Sequence, residues 1–232
     1  MKYMKTSCLW LFILCNCCTV FAQNQRLHFG VKFFPNYSWA KLVDDGSVPE
    51  GVVQSFRDLE IGRVSQSTQI FGEFAFSQRL AVSVGLGFQE TGQATREQEL
   101  IFPMPQPNDP EFSKFAFTYQ YLELPVLLKV NFAHGFYLEA GSSMSFLLSN
   151  FRKSKLRYPN GDVVTERSPN DYLEQRRMML NVQAGLGYTF FRQKNWQLFL
   201  QPTFQMALHG LAREVALNRH PFAGGLLVGV RY

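Results

Sequence analysis

Cysteine is nearly absent from this 232-residue chain: the four it has stand at positions 8, 15, 17 and 18, and none follows. No run of 18 apolar residues occurs after the first two dozen positions, which excludes a membrane-crossing helix from the rest of the chain. Charge is also sparse, at 18% of residues with a net of +5. The basic excess is spread along the chain, so nothing argues for a nucleic-acid partner. Histidine occurs only as His28, His134, His209 and His220, without ligand spacing, which leaves no metal reading.

The N-terminus explains the cysteines. Lys2 and Lys5 precede a short apolar run from Leu9 to Val20, and Val20 and Ala22 are small residues before Gln23. Residues 1–22 therefore read as a cleaved signal peptide, and residues 23–232 as one domain. Removing 22 residues leaves 210 with a charge of +3, no thiol and no disulfide framework.

What is abundant is alternation. Eight segments carry apolar residues at every second position: 27–33, 70–76, 80–88, 122–132, 136–148, 178–190, 196–208 and 222–232. A period of two is a strand signal, and most of these segments reach the ~9–11 residues a tilted strand needs to cross a bilayer. The connections alternate too. Residues 77–79, 133–135 and 191–195 are short links, whereas 35–67, 90–114, 150–173 and 209–220 are long. This pattern predicts an all-β fold: an eight-stranded antiparallel transmembrane up-and-down β-barrel with short periplasmic turns and longer extracellular loops.

The face opposite the apolar one is rich in Gly, Ala, Ser, Gln and Asn, not in the Lys, Glu and Thr that a water-facing wall would show. Small residues suit the interior of a narrow barrel, so the apolar face is expected to meet outer-membrane lipid. Seven charges then fall on the inward phase: Lys32, Glu73, Glu123, Lys129, Glu139, Arg177 and Arg231. Isolated charges are costly in such a place, so a barrel-interior salt-bridge network is expected, filling the barrel and leaving no conducting pore. Phe76, Phe132, Phe136, Phe190, Trp196 and Tyr232 gather beside the short links on the apolar phase, as a periplasmic-side aromatic girdle would. Glu123 and Glu139 have basic neighbours in the same inward set, which favours structure over acid–base catalysis. Gly85-Leu86-Gly87 and Gly185-Leu186-Gly187 lie within strands and do not open helices, so they do not cradle phosphate. No enzyme activity and no cofactor are expected. Arg152, Lys153, Lys155 and Arg157 form a basic run in the third long link, suited to contact with acidic surface glycolipid or simply to solvation.

The segment Tyr121-Leu122-Glu123-Leu124-Pro125-Val126-Leu127-Leu128-Lys129 resembles a signature of the PorT-like outer-membrane beta-barrel proteins of Bacteroidetes. His28-Phe29-Gly30-Val31-Lys32, Gly185-Leu186-Gly187-Tyr188 and Gly229-Val230-Arg231-Tyr232 also match. The resemblance implies a cell outer-membrane protein whose terminal aromatic is recognised by the barrel assembly machinery. It supports a non-enzymatic structural or interaction role in the envelope. The alternative it implies is an accessory component of a type IX-like protein secretion system, with a secretion-system or other envelope protein as partner.

Overall fold

The computed structural model describes residues 27–104, 106, 109–170, 175–192, 196–212 and 215–232. The expected signal peptide and its four cysteines lie outside the described residues, as do residues 193–195 of the third short link.

The alternating segments are antiparallel strands, and most are longer than their apolar cores. β1 (Leu27–Asp44) leads to a helix, α1 (Glu50–Leu59). β2 (Glu60–Ile61), β3 (Arg63–Ala75), β4 (Leu80–Thr95) and β5 (Gln98–Glu99) follow. Then come β6 (Phe112–Asn131), β7 (Phe136–Arg157), β8 (Val163–Pro169), β9 (Met178–Arg192), β10 (Gln197–Ala207) and β11 (Leu217–Arg231). The turn between β6 and β7 is tight: His134 and Gly135 take φ values of 63° and 90°, a left-handed pair that reverses the chain within three residues.

These strands form one eleven-stranded sheet, so the eight-stranded barrel expected from the sequence is corrected. The pairing path runs β4-β3-β1-β11-β10-β9-β7-β6, and an additional β4–β6 pairing brings the sheet round into a near-ring. β2 adds to β4, β5 to β6 and β8 to β7. The miscount has a physical cause. Three strands are short or polar and lie in stretches that read as connections, where period two is carried by Lys, Arg, Ser and Thr instead of apolar side chains. The same stretches hold α1 and the outer ends of β1, β3, β4, β6, β7 and β11.

Alternation sorts the side chains by face. Along β1, Lys32, Phe34, Asn36 and Ser38 are buried inside the near-ring, while Leu27, Phe29, Val31 and Phe33 are exposed outside it. Leu124, Val126 and Leu128 of β6 point outward, with Val126 53% exposed, and Glu123, Leu127 and Lys129 point in. The molecule is therefore apolar outside and mixed inside, the reverse of a water-soluble sheet protein.

Candidate functional site: the charged interior and the outer wall

Inward-facing charges near the short-turn end make three ion pairs. Lys32 Nζ donates to both carboxylate oxygens of Glu139, at 2.8 and 2.9 Å. Lys129 Nζ lies 2.7 Å from Glu73 Oε2, and Arg231 Nη1 lies 2.5 Å from Glu73 Oε1. The Arg231 guanidinium also donates to Gln197 Oε1 at 2.8 and 3.1 Å. All five ionic side chains are less than a tenth exposed.

Topology decides who pairs with whom. Lys129 and Glu139 are register partners across β6 and β7, yet each bonds elsewhere. Lys129 reaches Glu73 on β3 by passing over β4, whose residues at that level are Ala81 and Ser83. β1 and β7 sit opposite each other in the pairing path, so the Lys32–Glu139 pair spans the interior. The two lysines also rest on aromatic rings: Lys32 Nζ is 4.6 Å from the Phe71 centroid and Lys129 Nζ is 4.1 Å from that of Tyr137. Those rings belong to a buried cluster of Phe34, Phe71, Tyr137, Phe199, Ala223 and Leu227. Glycines make room for it: a Cβ on Gly187 would run into the Tyr137 ring, and one on Gly229 into the Phe199 ring.

A polar layer lies beyond the aromatics. Gln89 of β4 donates to Gln205 of β10 at 3.0 Å, a second link between opposite strands. Glu123 has no cation as its bonded partner and accepts from Ser143 at 2.5 Å and Gln205 at 2.6 Å. Ser145 bonds Gln89, and Asn181 bonds Ser145 at 2.8 Å. A void beside Gln89, Asn181 and Gln205 measures only about 10 Å³, the lower bound for one water. Tyr119, Tyr121, Met179, Ala207 and Leu211 close the interior beyond it.

Arg177 requires a correction. It stands just before β9 and is exposed, so it does not join the inward set. Six inward charges remain, three basic and three acidic. Two further pairs, unexpected from the sequence, lie toward the long-connection end: Arg63 Nη2 with Glu90 at 2.9 Å, and Arg219 Nε with Glu60 at 2.8 Å. All four residues fall in stretches that read as connections or at their edge, where inward phase has no meaning.

Phe76, Phe132, Phe136, Phe190 and Tyr232 are exposed on the outer face at the short-turn end, and Trp196 is half-buried there. Sequence reading missed a second row. Trp39 stacks on Phe222 at 5.9 Å and 13°, with Tyr37 and Phe204 each 6.2 Å from it, toward the other end of the wall. The signal was present as outward-phase aromatics on β10 and β11, but Tyr37 and Trp39 lay in an apparent connection. Phe29 and Trp39 are ten residues apart on one strand, about 33 Å of chain, or about 25 Å of height at a ~40° tilt, which equals the apolar band of outer-membrane strands.

Among the described residues no group of three or more His, Cys, Asp or Glu could hold a metal ion. The interior can neutralise charge and cross-brace the sheet, and the void among its described polar residues is too small for a substrate.

No functionally curated protein matches the chain. Among solved structures it is similar to the attachment invasion locus protein Ail of Yersinia pestis, at 11% identity and a TM-score of 0.37, covering 90% of this chain and 100% of that one. Neisserial surface protein A is similar at 11% identity and a TM-score of 0.37, with 88% of this chain and 95% of that one covered. The N-terminal beta-barrel domain of Pseudomonas aeruginosa OprF is similar at 11% identity and a TM-score of 0.35, with 90% and 98% covered. A family model described as outer membrane protein beta-barrel domain matches residues 21–213. Since that match takes in most of the chain, the protein belongs to the outer membrane protein beta-barrel domain family and crosses the outer membrane with its strands.

Proposed function

We propose that this protein is a non-enzymatic interaction or structural component of the outer membrane, with its outer wall in lipid and its working surface on the long-connection end. One observation carries the reading: the outer wall is apolar between two aromatic rows, while paired charges fill the inside. Lipid accepts such a wall and water does not. The Lys32–Glu139 and Gln89–Gln205 links tie opposite strands together at two levels, which favours a braced scaffold over a conduit. Short turns face the periplasm in outer-membrane strand proteins, so the longer elements face the cell surface. The Tyr121–Lys129 segment supports kinship with PorT-like proteins, but its residues serve the wall and the interior and give no support to a secretion role.

The scarcity of cysteine provides the test. Single substitutions Asn160→Cys, in the β7–β8 turn, and Gln78→Cys, in the β3–β4 turn, are probed in intact cells with a membrane-impermeant maleimide. Labelling is expected at position 160 only, with position 78 reacting after the outer membrane is permeabilised. Labelling of position 78 alone in intact cells contradicts the orientation.

A further inference from the structure

β6, β7 and β8 continue past the apolar wall as a three-stranded projection. Register places Phe112, Lys114 and Ala116 beside Arg157, Lys155 and Lys153, and Lys153 and Lys155 beside Arg167 and Thr165. Cross-strand neighbours share a face, so Lys114, Lys153, Lys155, Arg157 and Arg167 form one basic surface.

A β-bulge decides which way that surface looks. Below it, odd-numbered β7 residues such as Glu139, Ser143 and Ser145 point inward. The register shifts at Gln120/Tyr121, where Tyr121 faces Leu147 but Gln120 faces Ser149. One residue is thereby inserted and the phase reverses, so above the bulge Ser154 is buried and its odd-numbered neighbours turn outward. The basic run thus stands over the lipid-facing wall and not over the interior.

Lys114, Lys153, Lys155 and Arg167 are exposed, and no carboxylate among the described residues lies within ion-pair distance of them. Arg157 is engaged by Glu97 at 3.5 Å. Glu99, opposite Phe112, is the acid whose register gives it this face, while Glu166 lies opposite Ser154 on the other. Two guanidinium groups are steadied over rings, Arg157 at 4.2 Å from Phe112 and Arg167 at 3.6 Å from Phe151. Lys153 follows the exposed Leu148 by five residues, about 16 Å of strand, or about 12 Å of height when tilted. That sets Lys153 outside the hydrocarbon, toward the polar outer part of a lipid packed against the wall.

We infer that this outward basic face binds the phosphate groups of an anionic glycolipid in the outer leaflet. The inference rests on the orientation proposed above. Its geometry favours a membrane-bound anion over a soluble one, because the cations look sideways across the lipid and sit on the continuation of the wall.

The test uses the protein refolded in detergent, with a fluorescent bis-phosphorylated lipid A, its dephosphorylated form, and heparin as a soluble polyanion. The triple variant Lys114→Gln/Lys153→Gln/Lys155→Gln removes three exposed cations, and Arg79→Gln in the β3–β4 turn serves as a control. Heat-dependent gel mobility verifies folding of each. The triple variant is expected to bind phosphorylated lipid A at least tenfold more weakly, Arg79→Gln to match the unaltered protein, and the dephosphorylated lipid to bind the unaltered protein as weakly as the phosphorylated lipid binds the triple variant. Equal affinity of the unaltered protein and the triple variant overturns the proposal. So does heparin binding that the triple variant loses while lipid binding stays unchanged. The maleimide labelling at positions 160 and 78 reports the underlying orientation separately, and insertion into phosphate-free vesicles reports the wall: a protein that fails to insert there overturns the wall reading, and one that inserts but ignores phosphate overturns the headgroup site alone.

Discussion

Glu73 is the residue on which most of the interior charge turns, since it holds both Lys129 and Arg231. Glu73→Gln leaves two buried cations with one neutral partner, and breaking such a pair costs about 3–5 kcal/mol. The urea midpoint for unfolding from vesicles should fall accordingly, and a midpoint within error of the unaltered protein contradicts the network. Gly187→Val should also destabilise, by about 1–3 kcal/mol, because its side chain must displace the Tyr137 ring. Calorimetry or the same urea titration measures it. Six inward charges, Lys32, Glu73, Glu123, Lys129, Glu139 and Arg231, were legible from phase alone. Their partners were not, because Lys32 and Glu139 are 107 positions apart and meet only through the curvature of the sheet. Arg177 was misplaced because it precedes the first residue of β9, and phase has no meaning before a strand begins.

At the scale of elements, β6 holds both environments in one strand. Val126 lies midway along its outer apolar stretch, whereas Gln120 lies beyond that stretch beside the bulge. Val126→Arg should therefore cost about 2–4 kcal/mol of stability in lipid, and Gln120→Arg about 0–1 kcal/mol. Comparable costs at the two positions contradict the assigned depth. The spanning halves of the strands were legible because lipid demands an unbroken apolar phase. Their outer ends were hidden because water imposes no such demand. Phe151, Lys153, Lys155 and Arg157 alternate faithfully with Arg152, Ser154 and Leu156, yet they read as a charge run. β8 was lost in the same way, and the count of eight strands with it. Replacing residues 154–166 with a short turn should leave gel mobility and vesicle insertion intact, since the interior clusters draw on none of them.

For the whole molecule, the decisive property is inversion: apolar outside, with ion pairs and buried polar side chains inside. Cross-bracing between opposite strands predicts that the reconstituted protein shows no discrete conductance steps in a planar bilayer, and reproducible steps contradict the braced interior. The central claim is that the outer wall sits in lipid with its aromatic rows at the two interfaces. Trp39 and Trp196 are natural probes of it, one toward each end of the wall. Depth-dependent fluorescence quenching by brominated lipids, on Trp39→Phe and Trp196→Phe variants of residues 23–232 beside one carrying Val126→Trp with Trp39 and Trp196 both replaced, tests it most directly. Each native tryptophan should be quenched most by bromines close to the headgroup, and the tryptophan at position 126 by bromines deep in the acyl chains. Absence of quenching at position 126 by any brominated lipid contradicts a lipid-facing wall.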